Sequence, residues 1–236
     1  MRFFIILKCE DYSNLAICSS PKLTGFVKDF IKKEIAFERV IFFSDAIVAI
    51  AITLLALNLK LEIPPDRRVS FADLLLPWRN YLAFILSFIN IAGFWRTHHN
   101  AFLYIYKMDD RMMFMNTCWL FLIITLPFAT TLVSDHFGQT PVIFLYSLNV
   151  LGLAILQNST WDYADARSYI DKEKLPEALR TRFRLIFNLD MINSLICTVL
   201  SFFLPKLAFI FLFFKLPMFL FGTFYMVGKR RKHLNS

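Results

Sequence analysis

Glycine is scarce in this chain, at 6 of 236 residues. None of the glycines sits in a cluster that could cradle a phosphate, which excludes the glycine-rich nucleotide loops. Cysteine is scarcer still. Cys9, Cys18, Cys118 and Cys197 form no CxxC pair, so their spacing supplies neither a zinc site nor a disulfide framework. Cys118 and Cys197 lie in apolar runs and read as small buried hydrophobes. There is no internal repeat and no low-complexity tract. Acidic residues are outnumbered, 18 against 26 Lys and Arg, for a net charge of +8. The basic residues sit in short segments between apolar runs. That pattern belongs to membrane topology rather than to a nucleic-acid face.

Apolar material is what the chain has in excess. Hydrophobic residues make up 57% of it, aromatic residues 17%, and Phe alone occurs 28 times, with a mean hydropathy of +0.54. A soluble domain carries roughly 45–50% apolar residues. The surplus predicts an all-α membrane protein. A crossing helix needs about 20 apolar residues, and six stretches qualify: 39–61, 81–102, 112–133, 141–161, 185–204 and 205–227. The last two are separated only by Pro205 and Lys206, which makes that boundary the weakest. The opening "MRFFIILKCEDYSNLAIC" has an apolar run too short for a signal-peptide core, and acidic residues follow it. Residues 1–33 therefore read as an N-terminal cytoplasmic extension and 34–236 as one six-helix domain. With both termini inside, 20 Lys and Arg fall on the cytoplasmic side and 5 outside. This bias supports an even number of spans. The charged stretch "DYADARSYIDKEKLPEALRTRFR" reads as a cytoplasmic extension of the fourth and fifth spans.

The first span carries an anomaly. Asp45 sits inside "FFSDAIVAIAITLLALNL", where a carboxylate at membrane depth costs about 2.5–3.5 kcal/mol on insertion scales. On a helical wheel Ala46, Ile47, Ile50, Thr53, Leu54 and Leu57 share one stripe, and Asp45 points about 140° from its centre. Ser44 falls on the other flank, and Val48 is expected on a lateral face, off the stripe. His98, in "GFWRTHHNAF", is the expected partner of Asp45, and Arg39 is a second one. A buried polar network that fixes helix packing is the plain reading of these residues. The stripe, taken alone, reads as an ordinary packing face.

At these positions the chain resembles the transmembrane protein 175 family of potassium channels, found in bacteria and in lysosomes. The family signature Arg-x-x-x-Phe-Ser-Asp stands complete as Arg39, Phe43, Ser44 and Asp45. The second helix adds Trp95-x-x-His98 and Phe102, followed by "KMDD". The third adds Asn116 and Leu126-Pro127-Phe128. The resemblance covers residues 39–133 well and the remainder by topology only.

The resemblance implies six transmembrane helices per subunit, with the first helix lining a central pore in a homo-oligomer. One repeat per chain implies a homotetramer in a bacterial inner membrane. The chain has no "TVGYG" segment, so a carbonyl-ring filter is absent. By family position Ile50 is the apolar constriction, Thr53 the selectivity layer, and Leu54 and Leu57 further apolar layers of the gate. Arg39, Phe43, Ser44, Asp45, Trp95 and His98 form the signature and anchoring network. The implied activity is passive, potassium-preferring cation conduction. It uses no cofactor or bound metal beyond the permeant ion, and no partner other than the lipid bilayer and further copies of the chain. Two other classes fit less well. An intramembrane hydrolase built on Ser44, Asp45 and His98 lacks a glycine-flanked serine, and adjacent helical residues point about 100° apart. A secondary transporter favours broken helices and repeats within one chain, and neither is evident.

Overall fold

A computed structural model describes residues 21–57, 59, 66, 68–171 and 175–215, with side chains from residue 35 onward. The expectations for residues 1–20, the end of the first span, the second half of the sixth span and the "KRRK" tail lie outside these residues. All described regular elements are helical: α1 (Pro21–Leu57), α2 (Phe71–Leu75), α3 (Trp78–Phe102), α4 (Asp110–Asp135), α5 (Thr140–Ala166), α6 (Glu177–Phe203) and α7 (Pro205–Leu212). The chain divides into two compact units, Met1–Phe43 and Ser44–Ser236. Helices α2 to α7, and the part of α1 after Phe43, belong to the second.

Helix ends follow local chemistry. At α2, Ser70 and Asp73 form a reciprocal capping box. At α4, the Asp109 carboxylate accepts from the Met112 amide at 2.9 Å. Pro141 and Pro205 occupy the first turns of α5 and α7, where a missing N–H costs nothing. Pro205 also restricts the residue before it. Leu204 lies outside the helical region at φ −136°, ψ 70°, so α6 stops there and α7 begins as a separate element.

Among the described residues four stretches are long and apolar enough to cross a membrane: Ile35–Leu57, Asp110–Asp135, Thr140–Ala166 and Glu177–Phe203. The predicted second span, α3, has 25 residues but falls outside this set. The reason is visible in its side chains. Ser87, Asn90 and His98 are buried, so α3 spends part of its length on polar groups that only the core satisfies. The Thr130 hydroxyl donates to Ser87 at 2.6 Å. Ser87 lies 3.0 Å from the Tyr146 hydroxyl, and Asn90 donates to that same hydroxyl at 3.3 Å.

Helix α5 lies at the centre, with Ile143, Tyr146, Val150, Leu153, Ala154 and Trp161 buried and packed toward α4, α6 and α7. Gly152 permits the α4 approach, because a Cβ there would meet Leu122 Cδ1 at 2.7 Å. An ion pair ties α6 to the chain beyond α7. Lys215 Nζ lies 3.0 Å from Asp190 Oδ2, and both side chains are almost wholly enclosed. The same ammonium stands 2.7 Å from the centre of the Phe94 ring, a cation–π contact. Gly93 leaves space for the lysine stem, whose carbons come within 3.7–3.8 Å of its absent Cβ.

Candidate functional site

Between Ser44 and Leu57, α1 has two distinct faces. Ser44, Val48, Ala51 and Leu55 are buried at 1%, 3%, 1% and 0% exposure. Their spacing of three and four residues is that of one helical stripe, and it packs on the bundle core. Most of the predicted stripe occupies another face, although Ile47 at its edge is partly buried against the core. Ile50 is 59% exposed, Leu54 39% and Leu57 68%, and Thr53 is exposed beside them. Val48, expected on a lateral face, is instead a core residue. It lies four residues after Ser44, so whatever buries Ser44 buries Val48 as well.

The Thr53 hydroxyl donates to the Ile50 carbonyl at 2.8 Å. This spends its only proton on the helix itself and leaves the oxygen lone pairs directed outward as acceptors.

The polar residues at the start of this segment divide into two arms, which corrects the expected partnership of Asp45 with His98. In the first arm Asn116 Nδ2 donates to Ser44 Oγ at 2.9 Å. Asn116 Oδ1 sits 2.8 Å from His98 Nε2. With the amide oriented this way, the imidazole nitrogen is the donor. His98 is held in plane by rings on both sides, Phe102 at 4.3 Å and Trp119 at 4.4 Å. In the second arm the Trp95 indole N–H donates to Asp45 Oδ1 at 2.9 Å. The division has a simple cause. Ser44 and Asp45 are neighbours on a helix and diverge by about 100°. Ser44 points into the core toward α4, and Asp45 points along α3, where Trp95 lies one turn before His98. In the first unit, Arg39 and Phe43 are exposed.

The family profile described as "Endosomal/lysosomal potassium channel TMEM175" matches residues 39–127. A potassium channel of Chryseobacterium sp. (strain P1-3) is 30% identical over 167 residues, covering 70% of this chain and 83% of the relative. The chain belongs to the TMEM175 family. A potassium channel of Streptomyces collinus is 28% identical over 152 residues, 62% of this chain and 74% of that protein. The crystal structure of a lysosomal potassium-selective channel TMEM175 homolog from Chamaesiphon minutus superposes with a TM-score of 0.66 at 27% identity. It covers 78% of this chain and 97% of that one. TMEM175 proteins are ion channels, so this chain is an integral membrane protein of the channel class and not an intramembrane hydrolase.

Sequence reading named Asn116 only as a family element and did not assign it the bridge between Ser44 and His98. It also missed the Asp190–Lys215 pair. A signal was available, since each is an isolated charge in an apolar run. Among the described residues no group of three or more His, Cys, Asp or Glu side chains is arranged to hold a metal.

Proposed function

We propose that the chain is one subunit of a potassium-preferring cation channel whose ion pathway is lined by the exposed face of α1. The observation that carries this reading is the pairing of faces on one helix. Ser44, Val48, Ala51 and Leu55 fasten α1 to its own subunit, and Ile50, Thr53, Leu54 and Leu57 remain uncovered. Four such helices around an axis, one per subunit of a homotetramer, bring the uncovered stripes together. Ile50 and Leu57 are then apolar rings about 10 Å apart along the pore, with Leu54 between them. A narrow apolar segment loses water readily and acts as a hydrophobic gate. Four Thr53 oxygens offer acceptor ligands to a partly dehydrated cation, in the role that backbone carbonyls take elsewhere. Ser44, Asp45, Trp95 and His98 hold the pore helix in position and take no part in conduction.

In this arrangement the subunit has six transmembrane helices, with α3 and the helix that starts at Pro205 completing the set. Residues 1–33 form a cytoplasmic extension of the 34–236 channel domain. Both termini face the cytoplasm, in a bacterial inner membrane. The names of the relatives support potassium as the permeant ion, and the Lys and Arg distribution supports the orientation. The test is ion flux from liposomes holding the purified full chain. Potassium should move down its gradient faster than sodium, with no dependence on a proton or sodium gradient. Flux that stops when a proton or sodium gradient is collapsed would make the protein a transporter instead.

A further inference from the structure

The loops that join α3 to α4 and α5 to α6 are zipped together. Tyr106 N donates to Tyr169 O at 3.0 Å, Asp171 N to Tyr104 O at 2.9 Å, and the Tyr106 hydroxyl to Ser168 O at 2.9 Å. Helix α5 enters this junction through a Schellman turn. Tyr169 N bonds Ala164 O at 2.8 Å and Ser168 N bonds Asp165 O at 3.1 Å. Ser168 stands at φ 56°, where glycine is the usual occupant. The chain thus accepts local strain to bring Tyr169 back beside Tyr163. The two rings lie 6.4 Å apart.

Asp109 binds both tyrosines. Its Oδ2 accepts from the Tyr163 hydroxyl at 2.6 Å and from Tyr169 at 3.2 Å, and its Oδ1 accepts from Met112 N. The Tyr163 hydroxyl is the main cause that holds this carboxyl below the ordinary aspartate range, so the clamp stays ionised at neutral pH.

Three exposed cations stand on this platform. The Arg111 and Arg167 guanidinium carbons lie 5.2 and 5.6 Å from the Tyr163 ring centre, and Lys107 Nζ lies 5.1 Å from that of Tyr169. None of the three is within 4 Å of a carboxylate oxygen among the described residues, whereas the nearby Asp162 and Asp165 are occupied by Arg184 and Arg180. Asp110 is exposed but leaves α4 about 100° from Arg111. Below Arg111 the same helix shows Phe114, Phe121 and Phe128, exposed at 68%, 64% and 63%. Their seven-residue spacing makes a continuous apolar track that descends from the cations.

We propose that Lys107, Arg111 and Arg167 form a binding site for the phosphate headgroup of an anionic phospholipid, with its acyl chain along Phe114 and Phe121. A free phosphate would satisfy the cations equally well. The phenylalanine track decides for the lipid, because only an amphiphile uses both parts. The cations are mounted on hydrogen-bonded loops and aromatic faces, so little side-chain freedom is lost on binding.

The test is native mass spectrometry of the full chain in detergent, titrated with phosphatidylglycerol and phosphatidylcholine of identical chain length. Phosphatidylglycerol should bind tighter. The K107Q/R111Q/R167Q variant should lose roughly 100-fold of that preference, about fivefold per cation, with phosphatidylcholine, whose choline cation offsets its phosphate, losing far less. Should the triple variant fold poorly, R111Q and R167Q singly should each lose about fivefold. Lys206→Gln, remote from the platform, should lose nothing. Retained preference in the platform variants would overturn the site, as would an equal loss in Lys206→Gln. Displacement of the lipid by inorganic phosphate at matching concentration would assign the cations to a soluble anion and overturn the lipid.

Discussion

Two faces of α1 between Ser44 and Leu57 have the same composition in kind and opposite surroundings. One presents Ser44, Val48, Ala51 and Leu55, and the other Ile50, Thr53, Leu54 and Leu57. Each holds three apolar residues and one hydroxyl. The first is enclosed and the second is open. Hydropathy does not distinguish them. What does is the partner of the hydroxyl. Ser44 Oγ is engaged by Asn116 from another helix, whereas Thr53 Oγ1 turns its proton to its own backbone. A face that a neighbouring helix grips is structural. On the open face Thr53 bonds its own backbone and stays exposed, so its oxygen lone pairs are available for something that arrives later.

The sharpest way to break this contrast is a polar residue on the closed face. Val48→Asn buries an amide without partners, at a cost of about 1–3 kcal/mol for each unsatisfied group, in addition to the loss of apolar packing. Little folded protein should elute at the assembled position in size-exclusion chromatography. Asn116→Ala comes next. It removes the donor to Ser44 Oγ and leaves the His98 N–H without its acceptor, and should lower stability by about 1–3 kcal/mol, read as a fall in Tm. Asp45→Ala removes one bond, from Trp95, at a half-buried carboxylate. Its cost should be about 0.5–1.5 kcal/mol, seen as reduced assembly with ion preference unchanged. Normal assembly with altered selectivity would move Asp45 from the anchor to the pathway. The smallest effect on stability belongs to Thr53→Val on the open face. Tm should hold while the potassium-to-sodium permeability ratio falls, measured by the reversal potential under bi-ionic conditions. An unchanged reversal potential would remove Thr53 from the selectivity role.

Much of this was legible in the chain itself. The 3.6-residue period separated Ile50, Thr53, Leu54 and Leu57 from Ser44 and Asp45, because helical geometry fixes relative direction. The boundary at Pro205 was the weakest one read from the sequence, and it is where α6 ends and α7 begins. The partners were not legible. A wheel states that Asp45 and Ser44 diverge. Which of Trp95, His98 and Asn116 each one meets depends on the depth and rotation of α3 and α4. Val48 was misjudged on that ground: which flank of a stripe faces the core is decided by the neighbours and not by α1. The Asp190–Lys215 pair required the turn at Leu204, which brings the chain beyond α7 back toward α6. Charge isolation marked both residues and did not pair them.

The central claim is that the open face of α1 lines the ion pathway, with Ile50 as its tightest apolar ring. The most direct test is single-channel recording of Ile50→Asn in an assembled protein, beside Leu57→Asn. A polar ring favours wetting of the constriction. Open probability and current should therefore rise in Ile50→Asn, with a smaller rise in Leu57→Asn. Currents from assembled Ile50→Asn equal to those of the unaltered channel would contradict the account.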